Sequence, residues 1–368
     1  MDFCFTFLIL LVVDSLAMKR RSFLYTSGVA VGATLLGCQG ATKPEETTVI
    51  DMPTFDLHTH PGRFFMKGTA AYSGDDPFLT RVKEMKAQGL QGAFFCLVAD
   101  MPLLKVTETG VIPTGTFQGD EGWKVFLEQL RVLKDLIQKA EAELAFDTTK
   151  LSQGSAVQAL LACEGGDFLG GNIERISEAY ELGIRSIQLV HYAPNELGDL
   201  QTYAAQHDGL SALGKAAVKK MNQLGIVIDV AHASTKTVRD VVAISDAPVI
   251  LSHSTLTTDR ESPVTARTIS LEHAKMIVES EGVIGMWPSG YSSSLNEFVD
   301  DTMRMIETLG VDYVGIGTDM DANYKPVIKN YAEFFDWKKA LLERGLSEEE
   351  VGKVTGGNAK RVLKQVLG

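Results

Sequence analysis

The chain has 368 residues, 45% hydrophobic and 22% charged, which is the composition of an ordinary globular protein and not of a disordered or fibrous one. A net charge of −12 with no clustered Lys/Arg stripe excludes a phosphate-binding surface, so nucleic acid is not an expected partner. Four cysteines do not make a disulfide framework: Cys4 and Cys38 lie near the N-terminus, while Cys96 and Cys163 sit in apolar runs where buried free thiols are expected.

The first 50 residues read as targeting sequence and not as fold. Met18-Lys19-Arg20-Arg21-Ser22-Phe23-Leu24 precedes an apolar stretch, 28–36, and then Gly37-Cys38. The Arg20-Arg21 pair with Phe23-Leu24 resembles a twin-arginine export signal, and Leu35-Leu36-Gly37-Cys38 resembles a bacterial lipobox whose cysteine carries lipid. A second apolar stretch, 1–17, lies upstream, so Met18 is the expected true start; Asp14 and the basic cluster break up the ~20 apolar residues that a membrane span needs. The expectation is an export signal at 1–37, a polar tether at 38–50 and a single domain at 51–368. Such a protein would be exported, periplasmic or anchored to a bacterial membrane through Cys38.

From there the chain alternates short apolar runs with amphipathic stretches. Strands are predicted at 54–60, 92–100, 158–166, 185–192, 225–234, 248–254, 282–287 and 313–321, each a continuous apolar run suited to a parallel strand buried on both faces. Helical patterns occupy 76–88, 123–145, 173–182 and 210–224, several ending at a glycine such as Gly89, Gly183 or Gly225. The 101–157 segment is the longest departure, 101–122 has no readable motif and is a candidate lid, and 330–368 reads as two or three helices outside the barrel. Eight βα units in a row, with no Gly-x-Gly-x-x-Gly after a strand, predict an α/β fold of the closed (β/α)8 TIM-barrel type.

The polar residues at the strand ends carry the chemistry. The first strand ends His58-Thr59-His60, the third reaches Glu164, the fourth His191, the fifth His232, the sixth His253, and the eighth Asp319-Met320-Asp321. In a barrel all these ends share the face where active sites sit. His58 and His60, two apart on a strand, point to the same side and can chelate a borderline-soft cation such as zinc. Glu164 from a third strand can bridge to a second cation held by His232 and His253. Two ions ~3.5–4 Å apart can share a hydroxide and polarise a carbonyl, and Asp319 suits the general base. By contrast Asp321 is expected to be structural, and His207 and His273 to be solvated.

At this point the chain resembles the membrane (renal) dipeptidase family. The matching runs are Phe55-Asp56-Leu57-His58-Thr59-His60, Cys163-Glu164-Gly165-Gly166, Leu189-Val190-His191-Tyr192 and Asp229-Val230-Ala231-His232-Ala233-Ser234. They continue with Pro248-Val249-Ile250-Leu251-Ser252-His253-Ser254, Gly315-Ile316-Gly317-Thr318-Asp319-Met320-Asp321 and Asn358-Ala359-Lys360-Arg361-Val362-Leu363, in the family's order over 52–367. The resemblance implies a barrel with two zinc ions that cleaves dipeptides, His58 and His60 on one ion, His232 and His253 on the other, and Glu164 between. It further implies that His191 meets the scissile carbonyl and that an arginine after the sixth strand binds the substrate carboxylate. Arg267 fits that place, with Arg260 the competitor. A homodimer is compatible with it. One departure stands out: the family's first motif is His-x-Asp, whereas this chain has His58-Thr59-His60, the form of the wider amidohydrolase group. A lactonase, amidase or phosphoesterase on the same scaffold is therefore the alternative, and a lipid-anchored binding protein without catalysis the remaining one.

Overall fold

The computed structural model of the protein describes residues 52–108, 110–151 and 156–368; the expected signal, 1–37, and tether, 38–50, with Met18 and Cys38, lie outside the described residues. In chain order the strands are β1 (Phe55–Thr59), β2 (Gly92–Val98), β3 (Leu104–Thr107), β4 (Gly110–Pro113), β5 (Glu143–Leu144) and β6 (Gln158–Glu164). They continue with β7 (Ile184–Gln188), β8 (Val227–Asp229), β9 (Ile250–Ser254), β10 (Val283–Met286) and β11 (Val314–Ile316). Eight of them pair side by side in the order β1-β2-β6-β7-β8-β9-β10-β11, all parallel, with β5 added outside against β6. The ring closes at the top between β11 and β1, where Asp319 N donates to His58 O at 2.8 Å and His60 N to Met320 O at 3.0 Å. This is the (β/α)8 barrel expected from the sequence.

A helix follows each barrel strand: α1 (Asp76–Ala87), α2 (Glu121–Lys139), α3 (Arg175–Glu181), α4 (Ala212–Leu224), α5 (Thr235–Ile244), α6 (Leu271–Glu279), α7 (Leu295–Leu309) and α8 (Tyr331–Glu343). Two more, α9 (Glu348–Gly352) and α10 (Asn358–Leu367), follow, so that with α8 the segment 330–368 holds three helices, where two or three were expected. The starts of α4 to α9 share one device: Ser211, Ser234, Ser270, Ser294, Asn330 and Ser347 each accept an amide from three residues on, satisfying a donor the helix cannot. Among the described residues no helix is long and apolar enough to cross a membrane.

Strands β1, β2, β6 and β9 are buried along their whole length because helices cover one face and the barrel interior the other. Their lower ends form an apolar floor of Phe55, Leu57, Phe94, Leu160, Val227 and Ile250, sealed from below by Val362 and Leu363 of α10. The strands also pack closely higher up, at the level of Ser252. A methyl group on Gly285 or Gly317 would stand 1.8 or 1.9 Å from Ser252 O, so these two positions admit only glycine.

Every barrel strand is shorter than the sequence expectation, the one expected over 313–321 being only β11 (Val314–Ile316). The helix predicted over 123–145 stops at Lys139, and Glu143–Leu144 turns into β5. The strand predicted over 225–234 is cut to β8, because the Asp229 carboxylate accepts from Ala231 N at 2.9 Å and Ser252 N at 3.0 Å and turns the chain out of the ladder. The segment 101–122, without a motif in sequence, holds the antiparallel ribbon β3–β4.

Candidate metal centre

Barrel closure brings the strand-end side chains together, and buried carboxylates fix the backbone that carries them. Asp56 on β1 accepts from Thr318 N at 2.9 Å, His58 N at 3.1 Å and the Tyr331 hydroxyl at 2.8 Å, tying the first strand to the last. Above that tie, His58 and His60 face inward with their Nε2 atoms 3.0 Å apart. His60 Nδ1 donates to the Cys96 carbonyl at 2.8 Å, so its Nε2 turns a lone pair to the centre. Ser252 Oγ sits 3.3 Å from His58 Nδ1 and 3.0 Å from His253 Nδ1, orienting two rings from one hydroxyl.

Glu164 lies at the middle. Its Oε2 is 3.3 Å from His60 Nε2, while Oε1 is 3.3 Å from both His191 Nε2 and His232 Nε2 and 3.4 Å from His58 Nε2. His253 Nε2 stands 3.1 Å from His232 Nε2 and 3.8 Å from Glu164. Asp319 Oδ1 faces His60 Nε2 at 3.4 Å, and its other oxygen accepts the Trp287 indole N–H at 3.1 Å. The donor atoms fall into three groups, each within 4.8 Å: His58, His60 and Asp319; His58, Glu164 and His253; Glu164, His191 and His232. All seven residues are buried.

Electrostatics suit these groups to cations. Burial pushes His232 and His253 well down, aided by Arg267 beside the first and by His58 beside the second, so both rings are neutral and offer lone pairs. Burial works against an ionised Glu164, yet the charge of His191 and His58 around it holds it well below the usual carboxylate range. In each close Nε2 pair at most one nitrogen can carry a proton toward the other, which leaves bare donors facing a shared point. Two imidazoles and one carboxylate to a group, Asp319 in the first and Glu164 in the other two, are a donor set that fits zinc with an open coordination position. His232 and Asp319 occupy the left-handed region at φ 65° and 51°, a strain that side chains at working sites commonly bear.

Arg267 reaches the same place from the turn after β9. It is 2% exposed; one terminal nitrogen contacts Gln201 Oε1, the other lies 3.4 Å from His253 Nε2, and its Nε has no partner. Gln201 is itself held by its backbone N–H on His232 O at 2.8 Å and its side chain on Thr268 O at 3.2 Å. The competing Arg260 is engaged elsewhere, 2.6 Å from both Asp301 and Glu297. Glu164, His191, His232, His253, Asp319 and Arg267 line one cavity of 420 Å³, roofed by the β3–β4 ribbon.

Several contributors had not been singled out from the sequence. Asp100, just past β2, accepts from Tyr192 N and Ala193 N and lies 2.7 Å from His191 Nδ1, so it aims that ring at Glu164. It ends a strand, the same signal that marked the histidines. Tyr192 and Trp287 also close expected strands, over 185–192 and 282–287, but are not carboxylates or imidazoles, and Gln201 lies outside any expected strand. Asp321, expected to be structural, pairs with Arg81 at 2.6 Å and accepts from Gly62 N at 2.7 Å. His273 corrects an expectation: it is 1% exposed on the inner face of α6, and burial pushes its imidazole down to about 4. His207 is half-buried with Nε2 2.9 Å from Asn195 O.

The sequence profile of the membrane dipeptidase family (peptidase family M19) matches residues 45–367. The dipeptidase aclJ of Aspergillus oryzae is 31% identical over 221 residues, covering 57% of this chain and 52% of that protein. The chain thus spans about half the length of the curated relatives it matches first. Among solved structures, the metallopeptidase dipeptidase AC superposes with a TM-score of 0.72 at 21% identity, over 86% of this chain and 99% of that one. A metallopeptidase of Rhodobacter sphaeroides, liganded with a phosphinate mimic of the dipeptide L-Ala-D-Ala, gives 0.71 at 21% identity over 86% and 99%. At such identities the structural likeness is one of fold.

Proposed function

The chain belongs to the membrane dipeptidase family, and from that premise we propose that it hydrolyses dipeptides at a two-zinc centre. The observation that carries the proposal is the buried convergence of five imidazoles on Glu164 beside an arginine whose Nε has no partner. Zinc held by His58, His60, Glu164, His232 and His253 would supply Lewis acidity to the scissile carbonyl and acidify the attacking water. Arg267 pairs with the substrate's terminal carboxylate, for which a planar guanidinium is the matching shape. His191, its ring fixed by Asp100, directs Nε2 toward the carbonyl oxygen as charge develops there. Asp319 takes the proton of the water and passes it to the leaving amine, while Trp287 pins one carboxylate oxygen so that the other faces the centre.

The test is turnover of L-Ala-L-Ala and L-Ala-D-Ala by zinc-loaded protein, abolished by a chelator and restored by zinc. Lactones and phosphotriesters in the same panel address the alternative that His60, in place of the family's aspartate, motivates. Absence of dipeptide turnover by the loaded protein would remove the proposal. Export is proposed as well, with lipid on Cys38, on the strength of Arg20-Arg21 and Leu35-Leu36-Gly37-Cys38. Labelled palmitate should enter the wild-type chain and not Cys38→Ala.

A further inference from the structure

We infer that the preferred substrates are dipeptides whose first residue carries a large apolar side chain; the inference rests on the dipeptidase proposal and specifies its substrate. Ring order supplies the geometry. Arg267 follows β9 and the β3–β4 ribbon follows β2, four places apart in an eight-membered ring and so on opposite sides of the mouth. Both line the same 420 Å³ cavity, with Glu164 and Asp319 between them. A dipeptide held by its terminal carboxylate on Arg267 must therefore cross the centre and place its first residue against the ribbon.

That wall is apolar. The ribbon pairs Val106 with Val111 and Lys105 with Ile112, and its Leu104, Val106, Val111 and Ile112 line the cavity together with Thr107 and Gly110. Phe65 and Met101 extend the surface toward the centre. Val106 is 75% exposed although it lines the cavity, an arrangement that costs solvation until something apolar covers it. The acids lining the cavity are Glu164 and Asp319, both engaged with the histidines. On the ribbon side the charged lining residue is Arg63, which opposes a cationic side chain. A carboxylate there would gain Arg63 but would forfeit the apolar wall.

The experiment compares kcat/KM of the zinc-loaded enzyme on Gly-Ala, Leu-Ala, Phe-Ala, Glu-Ala and Lys-Ala. Leu-Ala and Phe-Ala should exceed Gly-Ala by about tenfold or more, the usual worth of added methylenes in an apolar pocket, with Lys-Ala lowest. Val106→Glu, at an exposed position that leaves the fold intact by circular dichroism, should lower the Phe-Ala to Lys-Ala ratio by about tenfold. Turnover indifferent to the first side chain, Glu-Ala or Lys-Ala in first place, or an unchanged ratio in Val106→Glu overturns the inference while leaving the dipeptidase proposal standing. If no dipeptide is cleaved, the dipeptidase proposal falls and takes the inference with it.

Discussion

At the floor of the barrel Phe55, Leu57, Phe94 and Leu160 pack on Val362 and Leu363, whereas a few residues further along the same strands stand His58, His60 and Glu164. The floor is mostly apolar and closely packed. The mouth buries Asp100, Asp319, Glu164, Arg267 and five histidines, and carries His232 and Asp319 at positive φ. Each sparsely populated backbone conformation costs on the order of 1–3 kcal/mol. The floor therefore supplies stability that the mouth consumes in holding like groups together. Substitutions at the two ends should separate cleanly, one set moving the melting temperature and the other the kinetics.

The largest separation should come from His58→Ala, which is expected to lose zinc, by elemental analysis, and dipeptide turnover together while circular dichroism stays native. Asp319→Asn should lower kcat by about 10³-fold with zinc content kept, because it removes proton transfer and not a principal ligand; zinc lost in parallel would recast Asp319 as a ligand. At the floor, Phe55→Ala removes a ring fully buried 5.4 Å from Phe94. It should cost about 3–5 kcal/mol in denaturant unfolding and leave kcat/KM of the folded enzyme nearly unchanged. A kinetic effect there would break the contrast.

Smaller effects sharpen it. Trp287→Phe frees one Asp319 oxygen, so kcat should fall about tenfold with KM little altered, as for other partners that orient a reacting group. Outside both regions, Glu297 near the start of α7 accepts from Ser293 and pairs with Arg260, which lowers its carboxyl from 4.5 to about 2. A depressed folded value means stability present above pH 4.5 and lost as pH falls through about 2. Because the group is largely solvated, Glu297→Gln should cost no more than about 1 kcal/mol at pH 7, and the difference in melting temperature should vanish near pH 2.

The barrel was legible because eight apolar runs, each too short for a helix and bounded by turn residues, admit few other topologies. The centre was legible because parallel strands put all their C-terminal ends on one face, so His58, Glu164, His191, His232, His253 and Asp319 could be grouped without coordinates. What stayed hidden depends on contacts that exist only after closure. Asp100 meets His191 across 91 residues, Gln201 meets Arg267 across 66, and Trp287 meets Asp319 across 32. No local pattern marks such pairs. His273 was misjudged because one histidine at the third position of a helix gives no sign of which face the helix buries.

The position of α10 has a consequence for biosynthesis. The helix follows all eight strands in the chain, yet its Val362 and Leu363 cover side chains from β1 and β2. While the polypeptide emerges from the ribosome, the first strands must wait with an open greasy funnel until residues more than 260 positions downstream have been made. Contacts of that sequence separation form slowly. Nascent chains of this protein should therefore be clients of holding chaperones, and their window for aggregation closes only when the plug helix docks.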